Sequence, residues 1–282
     1  MGCYQLGAGE HPRACRLAES MDNAASLGKS FAIQLRVLHA LLMREVITRF
    51  GRENLGVLWL VGEPMLFTLG VATLWTASGL HRGSPIPIVA FAVTGYSAVL
   101  MWRNAATRCG SAIAQNKPLL FHRNVRIVDV LLTRSILEIG GATCSFIVLS
   151  SLFMFIGWMP PPTDLLEVLQ GWLMLAWFGT ALAFTIGAAS ARSELVERLW
   201  HPAAYLLFPL SGAAFMVDWM PHNLQRFVLL LPMVHGTEVL REGWFGNVVQ
   251  THYDLGYMAA CCLLLTLAGL NLQWQASRRL EM

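Results

Sequence analysis

Long apolar runs joined by short basic connections dominate the chain. The runs 57–78, 86–102, 135–159, 171–191 and 255–274 reach or approach the length a spanning helix needs. That length is about 20 mostly apolar residues, because a helix rises 1.5 Å per residue and the hydrocarbon layer is about 30 Å thick. A sixth run, 199–217, carries His201, Pro202 and Pro209 but no Lys or Arg. The apolar stretch that follows, Leu224 to His235, is too short to cross alone. A re-entrant hairpin between the fifth and sixth spans suits it, since such backbone is tolerated at membrane depth where protein buries it. Ahead of the first span, Phe31, Leu35, Leu38, Leu42 and Val46 recur every three or four residues. Arg36, Arg44, Arg49 and Arg52 lie mostly off that stripe, which predicts a basic amphipathic helix over 31–52 lying in the membrane interface. The predicted fold is therefore all-α and integral to the membrane, with six transmembrane helices in one domain over 31–282. Residues 1–30 stand apart as a flexible N-terminal stretch.

Composition agrees with lipid as the solvent. Of 282 residues, 55% are hydrophobic and 13% charged, against about 25% charged in soluble domains. The only lysines are Lys29 and Lys117. Arg36, Arg44, Arg49, Arg52, Arg103, Arg108, Lys117, Arg123, Arg126, Arg134, Arg192, Arg198, Arg278 and Arg279 fall on one set of connections, and Arg82, Arg226 and Arg241 on the other. Lys and Arg are retained on the cytoplasmic side, so both termini are expected there, with an even number of spans. Met1 to Ser30 has no apolar block of a secretory signal. The six cysteines lack C-x-x-C spacing and read as unpaired thiols.

Tests for catalytic chemistry are negative. Gly28-Lys29-Ser30 ends like a P-loop, but the first glycine would fall on Asn23. There is no H-E-x-x-H pair and no G-x-S-x-G elbow. Ser97, Ser145, Ser150 and Ser151 sit in apolar runs, where such hydroxyls satisfy helix carbonyls. His235 and Glu238 share a helix face at i, i+3, and a hydrogen-bonded structural pair outweighs a metal or proton-relay role; no metal site is predicted. Glu63, before Pro64, has no local partner and should face protein, whereas Glu138 stands four residues after Arg134 and can close a local bridge with it. The connection Asn116-Lys117-Pro118-Leu119-Leu120-Phe121-His122-Arg123 is basic and broken by proline. Leu120 and Phe121 could plug a groove on a soluble partner, with Lys117 and Arg123 as rim charges, although a merely positive-inside loop has the same composition. Trp59, Trp75 and Trp102 near span ends, with Arg44, Arg49 and Arg52, suit contact with sugar faces and acidic groups, but equally an interfacial aromatic belt and positive-inside anchoring.

Four segments together resemble the type-2 ABC exporter permeases, and within them the capsular-polysaccharide branch. These are Arg49-Phe50-Gly51-Arg52 leading to Leu55-Gly56-Val57-Leu58-Trp59 and Glu63-Pro64; Thr94-Gly95-Tyr96; Asn116 to Leu120 with Val125 and Asp129; and Leu231-Pro232-Met233-Val234-His235-Gly236-Thr237-Glu238 through Arg241 to Trp244-Phe245-Gly246. The last is the most specific, although it begins Leu-Pro where the family has Asn-Pro. The resemblance implies a non-catalytic homodimer in a bacterial inner membrane, docked on two copies of a separate ATPase subunit that holds ATP and Mg. It further implies a lipid-linked polysaccharide substrate, a periplasmic adaptor or co-polymerase, and no nucleic acid. Substrate-pathway candidates are Arg44, Arg49, Arg52, Trp59, Glu63, Trp102 and Arg103. Asn116, Lys117, Pro118, Leu120, Phe121, His122 and Arg123 would form the ATPase-coupling loop. Asp218, Trp219, Pro232, His235, Glu238 and Arg241 would form a periplasmic gate. The alternatives are a permease for another lipid-linked glycan, O-antigen or teichoic acid, and a membrane-embedded transferase. The transferase would need convergent carboxylates or a His base, and Glu63 and His235–Glu238 lie at opposite ends of the predicted topology.

Overall fold

The computed structural model describes residues 12–50, 56–78, 86–116 and 125–280, with side chains from 28 onward except 29, 49–61, 63, 64, 67, 78–85, 117–124 and 279–282. The described residues form helices and turns without a strand: α1 (Pro12–Phe50), α2 (Gly56–Ser78), α3 (Ile88–Gly110), the one-turn α4 (Ala112–Gln115), α5 (Ile127–Ile156), α6 (Leu165–Ser190), α7 (Glu194–Leu210), α8 (His222–Val228), α9 (Pro232–Phe245) and α10 (Leu255–Leu280).

Local chemistry sets the helix ends. The Asp129 carboxylate accepts the Arg126 N–H at 2.9 Å and starts α5. Asp164 accepts the Leu166 N–H at 2.8 Å and caps α6. Gly157, at φ +83°, stops α5, and Gly212, at φ +80°, turns the chain just after α7. Pro232 begins α9, where its missing N–H costs nothing.

Helix α6 is the hub, packing on α3, α5, α9 and α10. Its stripe of small residues permits this. A Cβ on Gly171 would stand 2.7 Å from the Leu240 amide nitrogen of α9, and one on Gly179 would stand 3.0 Å from the Trp102 Cα of α3. Gly140 on α5, by contrast, has nothing within 4 Å. Gly171→Ala is therefore expected to lower the melting temperature of the purified chain, despite alanine's better helix propensity, because overpacking costs about 1–3 kcal/mol. Gly140→Ala should leave it unchanged or raise it, by about 0.5–1 kcal/mol. Equal shifts in differential scanning fluorimetry would contradict the close crossing.

Residues 89–102 of α3 are buried on every side, as expected of a helix that is apolar all round. Phe146 stacks on Trp172 at 4.5 Å and meets Trp244 edge-on at 5.7 Å, tying α5, α6 and α9 together. The outward faces of α5 and α10 leave Ile147, Leu152, Phe155, Leu263, Leu264 and Leu267 exposed. Apolar surface of that extent needs lipid or protein to cover it. Ser150, inside α5, donates to the Phe146 carbonyl at 2.6 Å, so its hydroxyl is satisfied within its own helix. The described cysteines Cys109, Cys144, Cys261 and Cys262 are free thiols.

Three described helices are long and apolar enough to cross a membrane: Ile127–Ile156, Leu165–Ser190 and Leu255–Arg278. Element limits differ from the expected spans where polar residues extend a helix past its apolar run. The last helix reaches Leu280, and α3 continues through Arg103, Asn104 and Arg108 to Gly110. The N-terminal helix begins at Pro12 and not near Phe31, because residues 12–30 are rich in helix formers, so that part of the stretch expected to be flexible is helical. The stretch 224–235 covers the end of α8, a turn at 229–231 and the first turn of α9, which runs on to Phe245. Its polar residues Thr237, Glu238, Arg241 and Glu242 hid that continuation from an apolar-run reading.

Candidate functional site

Polar side chains gather at the two ends of the bundle. At the first end, α1 is fastened to both flanks of the 116–126 connection. Arg44 Nη1 donates to Asn116 Oδ1 at 3.1 Å, and Asn116 Nδ2 donates to the Ala112 carbonyl at 3.0 Å. Gln34 on α1 donates to Asp129 at the start of α5. Glu45 pairs with Arg134 on α5 at 2.6 Å, with only 12% and 8% of the two side chains exposed. Arg134 also donates to the Arg108 carbonyl at 2.9 Å and to Gln115 Oε1 at 2.7 Å, so one guanidinium joins α1, α3, α4 and α5. The local Arg134–Glu138 bridge is thus replaced by two long-range pairs, since Glu138 lies 3.9 Å from Arg108. Glu45 is the only acid among the basic residues of 31–52 and sits three residues after Leu42 of the apolar stripe. A carboxylate beside an apolar stripe is the signal that points to this pair.

At the opposite end, α9 presents His235, Glu238 and Arg241 at successive i, i+3 steps, all buried. Each holds loop backbone. Arg241 Nη1 donates to the Gly212 and Phe215 carbonyls at 2.6 and 2.7 Å, and Nη2 to Ala213 at 2.7 Å. The guanidinium lies 3.8 Å above the Phe91 ring, whose neighbours include Trp219 at 5.3 Å. Glu238 accepts the N–H groups of Val217 at 3.3 Å and His252 at 3.2 Å. His235 Nδ1 accepts the Asp254 N–H at 2.9 Å, and Nε2 lies 2.8 Å from the Leu229 carbonyl. A backbone N–H can only donate and a carbonyl only accept, so this imidazole is the neutral Nε2–H tautomer. His235 and Glu238 therefore share a face, as their spacing implies, but bond to loop backbone and not to each other. Asp218 and Trp219 are partly exposed, Asp218 lying 3.4 Å from His252.

Of the remaining sequence candidates, Trp102 is wholly buried against Phe178 at 5.9 Å and fills the core. Arg103 lies half-buried, 5.6 Å over the ring of Tyr205 on α7. The side chains of Arg49, Arg52, Trp59, Glu63, Lys117, Pro118, Leu120, Phe121, His122 and Arg123 lie outside the described residues. No group of three or more His, Cys, Asp or Glu side chains converges as a metal site among the described residues.

Among the described residues, a helical bundle with apolar outward faces and polar clamps at its two ends has the build of a membrane-embedded domain. The chain belongs to the ABC-2 type transporter family, whose model matches residues 36–245. It is 43% identical over 256 residues to the capsule polysaccharide export inner-membrane protein CtrC of Neisseria meningitidis serogroup B, covering 91% of this chain and 97% of the relative. It is 40% identical over 253 residues to the capsule polysaccharide export inner-membrane protein BexB of Haemophilus influenzae, covering 90% and 96%. The polysialic acid transport protein KpsM of Escherichia coli is 26% identical over 250 residues, with 86% and 94% covered.

Proposed function

We propose that this chain is the transmembrane permease subunit of an ATP-driven exporter that moves lipid-linked capsular polysaccharide across a bacterial inner membrane. The observation that carries the reading is its similarity to CtrC and BexB, at about 40% identity over nine-tenths of the chain. The working unit is a homodimer with two copies of a separate ATPase, which binds the ATP and Mg. Each copy crosses the membrane six times with both termini in the cytoplasm, α8 and α9 form a periplasmic re-entrant hairpin, and a periplasmic adaptor receives the polymer. The connection around 117–124 docks on the ATPase. Support for that role comes from α1, whose bonds to Asn116, Asp129 and Arg134 brace both flanks of the connection. The ladder on α9 supports movement of the gate as one body, because three side chains hold three stretches of loop, 212–217, 229 and 252–254, to a single helix.

Removing the chain from its host is the direct test. Lipid-linked polymer is expected to accumulate inside the cells and disappear from their surface, and the tagged chain should co-purify with an ATPase in equal amounts. Normal surface polysaccharide in the deletion strain would overturn the reading, and chemical analysis of the retained polymer would identify the substrate.

A further inference from the structure

Beside the α9 ladder lies an open cleft of about 580 Å³ bounded by the end of α8, the 251–254 loop and the first turn of α10. Its volume is typical of small-molecule sites, about 300–1,000 Å³. Two tyrosines, Tyr253 and Tyr257, line it. Tyr257 donates to the Leu230 carbonyl at 2.8 Å, and its ring meets His235 edge-on at 5.3 Å. The Glu242 carboxylate beside Tyr253 pushes its phenol up to about 12. Both residues remain 36–37% exposed, so the cleft offers positioned aromatic surface at little cost in rotamer entropy. Arg226, on the rim, is exposed and has no hydrogen bond or ion pair among the described residues. Asp254 caps α10 through one carboxylate oxygen, accepting the Tyr257 N–H at 2.9 Å.

Fixed aromatic rings, one free guanidinium and a carboxylate acceptor form a combination suited to sugars. The rings cover the apolar C–H face of a pyranose, Asp254 accepts hydroxyl donors, and the arginine fork takes a carboxylate or phosphodiester oxygen. A bare phosphate or carboxylate would engage Arg226 alone and leave both rings uncovered, whereas a pyranose that carries an acidic group uses the guanidinium and the rings together. We propose that this cleft binds one or two sugar units of an anionic glycan. The inference rests on the export reading above and adds to it a contact point at the gate end of the bundle.

The test uses the full chain in phosphatidylcholine nanodiscs. Saturation-transfer NMR would follow three probes: a sialic acid trimer, uncharged maltotriose and glycerol 3-phosphate. The trimer is expected to bind in preference to the other two. Tyr257→Leu should weaken it at least about tenfold, and Tyr257→Phe, which loses the bond to Leu230 but keeps the ring, should stay within about twofold. Arg226→Gln should weaken the trimer about tenfold and abolish the preference over maltotriose. Because Arg226 is exposed, that variant decides the matter if Tyr257→Leu does not fold. Absence of trimer binding, unchanged binding in Arg226→Gln, or stronger binding of glycerol 3-phosphate would each overturn the proposal. If the trimer fails to bind while the deletion strain still loses surface polysaccharide, the cleft assignment falls and the export reading stands. Normal surface polysaccharide in that strain would count against the export reading itself.

Discussion

Arg241→Met is expected to lower the thermal unfolding temperature of the purified chain by about 10 °C and to reduce its level in the membrane. The guanidinium is fully buried and donates to three carbonyls, of Gly212, Ala213 and Phe215, that follow the end of α7. Methionine fills much of the space but donates nothing. Each carbonyl left dry and unpaired costs about 1–3 kcal/mol, and the contact with Phe91 is lost as well. Some of that cost is relieved by relaxation, leaving about 3–5 kcal/mol, which for a chain of this size corresponds to a shift of about 10 °C. Arg241→Lys should recover little, because a compact ammonium cannot reach along two arms to carbonyls that converge from one turn. Unfolding at the parent temperature in Arg241→Met would show that the turn after α7 holds without it. The same substitution should also raise protease cutting near residues 212–217 in detergent, which separates loosening of this turn from unfolding that begins elsewhere.

The second large effect is expected from Glu45→Gln. Glu45 and Arg134 form a nearly buried pair at 2.6 Å, and removing one partner of such a pair costs up to about 3–5 kcal/mol because the other charge is stranded. Arg134 keeps its bonds to the Arg108 carbonyl and Gln115, so α5 and the end of α3 should stay together. The helix that comes loose is α1. Surface polysaccharide is then expected to fall below about a tenth of the parent amount, a factor that needs only about 1.4 kcal/mol of lost coupling, while the chain remains in the membrane. The charge swap Glu45→Arg with Arg134→Glu should restore export only in part, since a carboxylate at 134 cannot donate to the Arg108 carbonyl. Export at the parent level in Glu45→Gln, measured by immunoblot of surface polymer, would show that the Glu45–Arg134 pair has no part in coupling.

Legibility in the sequence followed the range of the interaction involved. The helices α5, α6 and α10 were readable because burial in lipid demands an unbroken apolar run, and a run is a property of neighbouring residues. Boundaries were less so. Arg103 and Arg108 continue α3, and Thr237 to Glu242 continue α9, because folded neighbours supply partners that an apolar-run reading does not count. Shared faces were readable too: His235 and Glu238 do lie on one side of α9. Their partners were not, since Leu229, Val217 and the His252–Asp254 pair come from three separate loops. Arg134 shows the limit most clearly. A local partner, Glu138, was available at helical spacing, yet the fold brings Glu45 closer. Trp102 looked like one of many aromatics near span ends, and only the approach of Gly179 on α6 to its backbone explains why it is wholly buried. The cleft beside α9 had no sequence signature at all, because Arg226, Tyr253 and Tyr257 are ordinary residues until α8, a loop and α10 bring them together.

The sequence by itself determined that this is a helical protein of the membrane, which end segments carry its positive charge, and which family it resembles. Those properties depend on length, hydropathy and short motifs, all additive along the chain. The tertiary structure decided which charges are paired, that α1 is bonded to both flanks of the 116–126 connection, and that the polar face of α9 is a scaffold for loops. Such choices depend on distances between segments far apart in sequence, and at those distances burial makes one partner strongly favourable and leaves any other unpaired.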